Sequence, residues 1–184
     1  MVSQAVDDFD AIELAVVTPS LDAALTSFVD AHYDRLLRLA RLVCRDAIDA
    51  SDAVQVGLEQ AWRRRSSLRD EGSLRSWLDR IVVREAIRIS KRRGSWLSRI
   101  FTPSASVAWI EPVDEEADRA AAWTEMRIAF EQLPPDQRAV VALHFYAGYS
   151  LVETADLVAA PVETVRSRLR LAKDRLRRNL EETS

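Results

Sequence analysis

The sequence has one cysteine, few glycines and prolines, and only short apolar stretches. The single cysteine, Cys44, excludes an intramolecular disulfide and a zinc site built from cysteine ligands. The sequence has only 4 glycines and 6 prolines, few for a chain with frequent turns. Uninterrupted apolar stretches, such as residues 139–143, are far too short to cross a bilayer. We therefore expect a soluble protein of a reducing cytoplasm, without membrane insertion.

Groups of residues that usually carry catalysis are also missing. His32 and His144 lie far apart in the sequence, and neither belongs to a motif with two histidines. The chain contains no glycine-rich phosphate loop and no nucleophile elbow. We therefore expect that the protein is not an enzyme and has no catalytic residue, and that it binds no metal, cofactor or small-molecule substrate.

Charge is segregated along the chain, although the net charge is only -3. Residues 62–100 carry 12 basic and 4 acidic side chains, whereas residues 1–61 carry 4 basic and 11 acidic ones. The acidic start is the wrong charge for a signal or transit peptide. Such segregation suits a protein that binds a polyanion with one part and a basic protein surface with another. Solvated helix faces are the alternative explanation for each charge run.

Abundant Ala, Leu, Arg and Glu, together with apolar residues spaced three and four apart, predict an all-α fold. Pro134 and Pro135 break the chain before the fifth helix, where Asp136 is expected to cap the next start, and Gly94 is expected to end the third helix. The polar segment 66–73 is expected to be a loop. The predicted helices are Leu21–Cys44, Ala50–Arg65, Leu74–Arg93, Glu115–Leu133, Gln137–Ala147, Leu151–Val158 and Val162–Leu180.

Prolines and serines between the third and fourth helices mark a domain boundary. We therefore predict two small helical domains, at residues 21–95 and 118–184, joined by a flexible linker at residues 96–117. Residues 1–20 are expected to form a disordered N-terminal extension.

The C-terminal domain has the layout of a helix-turn-helix. Ser150 and Glu153 form a predicted capping box, and Pro161 opens the second helix after a tight turn. Helical spacing places one polar face outward, where it would enter the major groove of DNA. A generic surface helix of a bundle is the alternative. The outward residues predicted to contact DNA are Thr164, Arg166, Ser167, Arg170 and Lys173.

Two further helix faces carry a pattern of charge. The third helix has a basic stripe opposite its apolar face, and like charges so spaced repel unless phosphates approach them. Its members are Arg80, Arg84, Arg88, Lys91 and Arg92. The second helix presents Asp52, Gln55 and Glu59 together, which a basic partner could contact. Solvated faces explain both patterns equally well when each is taken alone.

Four stretches, in their order and spacing, resemble the extracytoplasmic-function (ECF) group of sigma-70 family factors. The resemblance covers about residues 28–93 and 118–180. The stretches are Asp52-Ala-Val-Gln55 through Ala61-Trp62-Arg63, Trp77-Leu78-Asp79-Arg80-Ile81, Leu133-Pro134-Pro135-Asp136-Gln137-Arg138, and Pro161-Val-Glu-Thr-Val-Arg-Ser-Arg-Leu169.

The resemblance implies a bacterial sigma factor that binds core RNA polymerase and directs it to promoter DNA, with an anti-sigma factor as a further partner. Asp52, Gln55 and Glu59 would contact the clamp coiled coil of the largest polymerase subunit, and the flap is a second polymerase contact. The C-terminal helix-turn-helix would read the upstream (minus 35) element. The first domain would capture an unstacked base of the downstream (minus 10) element. The residues expected there are Ser67, Arg69, Ser73, Arg80, Arg84, Arg88, Lys91 and Arg92.

The chain departs from the family pattern at three places. Arg84 stands where the family commonly has Asn, and Arg88 stands at an acidic position, which predicts an unusual downstream specificity. The turn of the helix-turn-helix is Ala159-Ala160, where the family often has Gly and a branched apolar residue. Since Ala tolerates a left-handed conformation poorly, we expect a turn of different shape.

Two other classes of protein fit parts of the pattern. A helix-turn-helix regulator that binds DNA as a dimer would bind its operator tightly without polymerase. A structural adaptor would show no dependence on DNA at all. A sigma factor free of polymerase, by contrast, is expected to bind DNA weakly, because its net charge is negative and its two reading domains are not held at a fixed separation.

Overall fold

The computed structural model describes residues 21–68, 73–97 and 117–181, and this part of the chain is helical without a strand. A 3₁₀ turn follows α2 at Arg65–Ser67, and a π-helical turn continues α5 at Ala142–Tyr146. The predicted all-α fold class is confirmed. The helices are α1 (Leu21–Val43), α2 (Ala47–Arg63), α3 (Leu74–Leu97), α4 (Ala117–Glu131), α5 (Pro135–Val141), α6 (Leu151–Val158) and α7 (Val162–Glu181).

Helices α1, α2 and α3 form the first bundle, and the predicted apolar stripes meet in its core. Leu36, Leu39 and Leu78 are fully buried there. Gly57 lets α2 approach α3 closely, since a Cβ atom at this position would lie 3.0 Å from the Val82 Cγ2 atom. Trp62, near the end of α2, is 45% exposed, although the spacing of the apolar residues in this helix predicts it on the buried face.

Helix α2 begins three residues before its predicted start because Asp46 caps it. The Asp46 carboxylate accepts hydrogen bonds from the backbone N–H groups of Ile48, at 2.8 Å, and Asp49, at 3.2 Å. These bonds satisfy two amide donors that a helix N-terminus otherwise leaves without partners.

The prediction that Gly94 ends α3 is wrong, because the helix continues to Leu97. A glycine inside a helix costs only about 1 kcal/mol relative to alanine, a penalty that a tertiary contact can offset. Such a contact lies next to it: the Arg93 guanidinium is 2.6 Å from the Asp49 carboxylate and 3.4 Å from that of Asp46.

Helices α4 to α7 form the second bundle. Val140, Ala155 and Val165 are buried where α5, α6 and α7 meet, while Leu133 and Ala172 are buried between α4 and α7. The prediction that Asp136 caps α5 is wrong. Pro134 holds the cap position, no side chain caps the helix, and Pro135 takes the first turn.

The two bundles pack against each other and share one continuous apolar core. Residues of α5, the π-helical turn and α6 are buried together with those of α1 and α3. The contributors from the second bundle are Ala139, Ala142, Leu143, Tyr149 and Leu157. The predicted linker lies outside the described residues, except for positions 96, 97 and 117, which belong to α3 and α4. Residues 1–20 also lie outside them.

Candidate nucleic-acid interface

The predicted helix-turn-helix is present as α6 and α7. The Ser150 hydroxyl accepts from the Glu153 N–H at 3.2 Å, and the Glu153 carboxylate accepts from the Ser150 N–H at 2.8 Å, which completes the capping box. Hydrogen bonding from the Ser150 side chain, and then from its backbone N–H, holds the pKa of the Glu153 carboxylate below its usual range. The start of α6 is therefore fixed by its own sequence.

The turn between α6 and α7 adopts a conformation that is unfavourable for its sequence. Ala159 has φ 52° and ψ 53°, the left-handed region that glycine usually fills. The Ala160 N–H donates to the Ala155 carbonyl at 3.0 Å and closes the helix end. The chain thus keeps the left-handed turn with alanine, at a cost of about 1–2 kcal/mol.

Helix α7 turns one apolar face inward and one polar face to solvent. Val165, Leu169 and Ala172 are buried against the rest of the bundle. The opposite face holds the five residues predicted to contact DNA. Arg166, Arg170 and Lys173 are exposed, Thr164 and Ser167 are half-buried, and Arg166 also forms an ion pair with Glu163.

The acidic face of α2 is fully accessible. Asp52, Gln55 and Glu59 are all exposed and lie on one side of the helix. The Gln55 amide donates to the Glu59 carboxylate at 3.5 Å, and Arg63 lies 3.6 Å from the same carboxylate. Exposed pairs of this kind contribute little to stability, so these groups are available to a partner.

The basic stripe of α3 divides into two sets of residues. Arg80 and Arg92 are exposed and form no ion pair with other residues in the described ranges. Arg88 pairs with Glu85, a 5% exposed carboxylate that also accepts from the Gln60 amide at 3.1 Å. All five members of the stripe are exposed, and these three form no hydrogen bond or ion pair with the second bundle among the described residues.

Arg84 and Lys91 instead face the second bundle. Arg84 donates from Nε to the Leu157 carbonyl and from Nη2 to the Asp156 carbonyl, both at 2.8 Å. The Lys91 ammonium lies 2.8 Å from the Asp136 carboxylate, which Arg168 approaches at 3.5 Å. Two cations assigned to DNA from the sequence thus contact the other domain in this structure.

The loop residues assigned to the downstream element are only partly described. Ser67 is exposed and donates to the Arg64 carbonyl at 2.7 Å. Ser73 is half-buried just before α3, where its carbonyl accepts from the Ser76 hydroxyl at 3.0 Å. Arg69 lies outside the described residues. The structure therefore places Ser67 in the 3₁₀ turn after α2 and Ser73 at the head of α3.

A buried polar cluster was missed by the sequence analysis. Asp79, which helical spacing places beside the basic stripe, is fully buried. Its carboxylate accepts from Arg35 Nη2 at 2.6 Å, from Arg35 Nη1 at 2.9 Å and from the Tyr149 hydroxyl at 2.7 Å. Burial, with the Asp79 charge, raises the Tyr149 pKa, so the phenol remains a proton donor. These partners are 44 and 70 residues away, and no local pattern pairs them.

In the ranges that the structure describes, no group of three His, Cys, Asp or Glu side chains could hold a metal ion. In the same ranges, no helix combines the length and apolar character needed to span a bilayer. The surfaces that remain for function are the acidic face of α2, the stripe of α3 and the outer face of α7.

Comparison with known families matches both bundles. Residues 28–97 match the model of Sigma-70 region 2, and residues 129–178 match that of Sigma-70, region 4. The first match covers α1 from residue 28 and all of α2 and α3, and the second covers the end of α4, then α5, α6 and α7 as far as residue 178. The two domains predicted from sequence thus contain two separate sigma-70 regions.

Several named proteins are similar over most of the chain. The ECF RNA polymerase sigma factor SigM of Mycobacterium tuberculosis is 34% identical, across 81% of this chain and 73% of that protein. The RNA polymerase sigma-E factor of Streptomyces avermitilis is 32% identical, across 84% and 83%. In fold, the sigma factor RpoE of Bartonella quintana, solved with the anti-sigma factor NepR, has a TM-score of 0.66 at 23% identity, across 85% and 96%. SigM is thus 34% identical over more than two thirds of its own length, and both sigma-70 regions are matched. The chain therefore belongs to the ECF group of sigma-70 RNA polymerase sigma factors.

Proposed function

We propose that this chain binds core RNA polymerase as a dissociable subunit and directs it to promoters that carry two spaced sequence elements. The observation that carries the proposal is the placement of three predicted contact surfaces on separate helices. An acidic face lies on α2, a basic stripe on α3 and a polar face on α7, and all three have solvent-exposed members.

The acidic face of α2 is the proposed contact with the polymerase. Asp52 and Glu59 supply carboxylates and Gln55 an amide within one helix face, which suits a basic surface such as the clamp coiled coil of the largest subunit. Charge complementarity of this kind accelerates association and fixes the register of the partners. The flap is the proposed site for the second domain.

The first bundle is proposed to bind the minus 10 element as melted DNA. All five cations of the stripe are exposed and would bind phosphates, and Arg84 and Lys91 would exchange their contacts with the second bundle for contacts with DNA. Ser67, Arg69 and Ser73 would surround the extruded base at the head of α3. Unpaired bases expose edges that duplex DNA hides, which explains why specificity can be read at this step.

The outer face of α7 is proposed to read the minus 35 element in the major groove. Arg166 and Arg170 can each donate two hydrogen bonds to a guanine, while Thr164, Ser167 and Lys173 contact bases or phosphates. The predicted linker, residues 96–117, would join the two reading domains along the RNA exit path.

An anti-sigma factor is a proposed further partner, because the similar solved structure of the sigma factor RpoE is a complex with the anti-sigma factor NepR, and CnrH was likewise solved in complex with the cytosolic domain of CnrY. We also infer that the chain has no catalytic chemistry of its own, since its named relatives are initiation factors. Binding to core polymerase would place it in the bacterial cytoplasm.

The test is transcription in vitro with sigma-free core polymerase on a library of genomic fragments, with mapping of the transcript starts. Discrete starts that share two spaced upstream elements are expected. Tight binding of DNA by the chain alone, without any starts, would instead favour a dimeric regulator.

Two pairs of matched variants test which surface contacts promoter DNA and which contacts core polymerase. Arg170→Ala should lower use of promoters with an intact upstream element about tenfold, since a bidentate arginine contributes about 1–3 kcal/mol of discrimination. Arg177→Ala, an exposed arginine further along α7, is the control. Glu59→Lys should weaken binding to core polymerase, whereas Glu181→Lys should not. Equal effects within either pair would contradict the assignment of that surface.

A further inference from the structure

An open groove lies between α1 and α2, close to the first turn of α1. Its volume is about 160 Å³. Five of the residues that line it are apolar: Leu25 and Val29 of α1, and Leu58, Ala61 and Trp62 of α2. A concave apolar surface of this kind is typical of a binding site, because its exposure to water is unfavourable until another group covers it.

The Trp62 ring is held at this groove by Arg65. The guanidinium carbon of Arg65 lies 4.9 Å from the centroid of the ring, and Arg65 Nη1 donates to the Trp62 carbonyl at 2.9 Å. Arg65 Nε also donates to the Asp22 carboxylate at 2.6 Å, which joins the first turn of α1 to the end of α2. These contacts place a 45% exposed tryptophan beside the point where the preceding chain enters α1.

The segment before α1 has the apolar side chains and the reach to cover this groove. Residues 11–17 are Ala-Ile-Glu-Leu-Ala-Val-Val, with six apolar side chains in seven positions. Three residues separate this stretch from Leu21, where α1 begins, and they span up to about 10 Å when extended. Leu25 lies about 6 Å along the helix from Leu21. The apolar stretch can therefore fold back onto the groove of its own chain.

The charges of the segment and of the groove's edge are complementary. Residues 1–20 carry four acidic side chains and no basic one, at Asp7, Asp8, Asp10 and Glu13. Arg63 and Arg64 are exposed where α2 ends beside Trp62. Arg63 lies 3.6 Å from the Glu59 carboxylate, and Arg64 forms no ion pair with other residues in the described ranges. Asp30 lines the groove from α1, so the attraction is confined to the end of α2.

We propose that residues 11–17 occupy the groove between α1 and α2 of the same chain, with their apolar side chains against Trp62 and the acidic residues of the segment beside Arg63 and Arg64. This arrangement differs from the disordered extension expected from the sequence, because the apolar side chains of the extension are concentrated next to α1. The acidic residues then neutralise the basic end of α2, about one helical turn beyond Glu59.

Disulfide trapping in the full chain tests this arrangement. Ala15→Cys is combined either with Thr26→Cys, at an exposed position that lines the groove, or with Ser27→Cys, at the next exposed position of α1. The two tethers differ by one residue, so a segment that is not docked reaches both positions at similar rates. Cys44 is 2% exposed, and burial raises its pKa to about 11, so it reacts slowly and can stay in place.

In a glutathione redox buffer, the disulfide between positions 15 and 26 should form about tenfold faster than that between positions 15 and 27, because docking raises the effective concentration of one thiol at the groove. Leu14→Ser/Val16→Ser should remove this preference. Val2→Ser/Val6→Ser, the matched control outside the apolar stretch, should retain it. Circular dichroism of every variant verifies that the helices are retained.

Charge reversal tests the proposed contact with the end of α2. Arg63→Glu/Arg64→Glu should slow formation of the disulfide between positions 15 and 26. The further change Asp10→Lys/Glu13→Lys in that background should restore the rate. A rate that stays low in the combined variant would contradict the pairing of these charges.

Equal rates at positions 26 and 27, or a preference that survives Leu14→Ser/Val16→Ser, would overturn the proposal. Disulfide-linked dimers on a non-reducing gel, in place of the intramolecular bond, would also overturn it, because the segment would then occupy the groove of a second copy. These measurements use neither polymerase nor DNA, so their outcome is independent of the proposed function.

Discussion

Replacing Asp79 by asparagine tests the buried cluster that joins α1, α3 and the second bundle. The carboxylate accepts three hydrogen bonds, two from Arg35 and one from Tyr149, at 2.6 to 2.9 Å. Asparagine keeps one acceptor oxygen but turns an N–H₂ group toward the guanidinium and removes the charge. Arg35 is then left with a positive charge that has lost its compensating partner.

The size of the effect follows from burial on each side of the pair. Removal of one partner of a fully buried ion pair costs about 3–5 kcal/mol. The Asp79 side chain is fully buried, but that of Arg35 is 17% exposed and recovers some water. We therefore expect a loss at the lower end, about 3 kcal/mol in the free energy of unfolding.

Equilibrium unfolding in urea, followed by circular dichroism, measures this loss. With a slope of about 1–3 kcal/mol per molar, the midpoint should fall by about 1–3 M. Asp30→Asn, at an exposed position on α1, is the control and should change stability by less than about 0.5 kcal/mol. A change below about 1 kcal/mol in Asp79→Asn would refute the view that the cluster holds the fold together.

Three further substitutions test local features. Ala159→Gly should raise the stability by about 1 kcal/mol in thermal denaturation, because glycine relieves the left-handed strain; a lower melting temperature would contradict this. Because the Glu153 pKa is lowered in the folded chain, the stability that this carboxylate contributes is fully present above its pKa in the unfolded chain. That contribution is lost as pH falls through the Glu153 pKa of the folded chain. Glu153→Gln should therefore remove this part of the acid dependence of stability, and an unchanged pH profile would exclude the capping box as its source. Gly57→Ala should destabilise the chain by about 1 kcal/mol through a clash with Val82, whose Cγ2 and Cα atoms would lie 3.0 and 3.3 Å from the new Cβ atom, and the additional change Val82→Ala should lower this cost by removing the Cγ2 contact; an equal cost of Gly57→Ala in both backgrounds would contradict the clash with that side chain.

Local features of the fold were predictable because their causes are local. The period of apolar residues gave seven helices, and Ser150 with Glu153 gave the start of α6 correctly. Where the prediction failed, a distant partner decided the outcome. Gly94 lies inside α3 beside the contact of Arg93 with α2. Asp136 pairs with Lys91 instead of capping its own helix.

The candidate site shows the same division. Helical spacing correctly placed Glu59 and Arg170 on outward faces. Helical spacing did not reveal that Arg84 donates to carbonyls at the end of α6. The position of a residue on its own helix does not show which element packs against it. The burial of Asp79 was missed for the same reason, since its partners come from α1 and the second bundle.

The acceptors in the contact between the bundles are mostly main-chain carbonyls, and this has an evolutionary consequence. Arg84 binds the backbone oxygens of Asp156 and Leu157, which every amino acid supplies. Substitutions on the solvent side of α6 can therefore accumulate without loss of these hydrogen bonds. The contact between the bundles therefore constrains the backbone of α6 more than its side chains, and it can persist while the exposed side chains of that helix change.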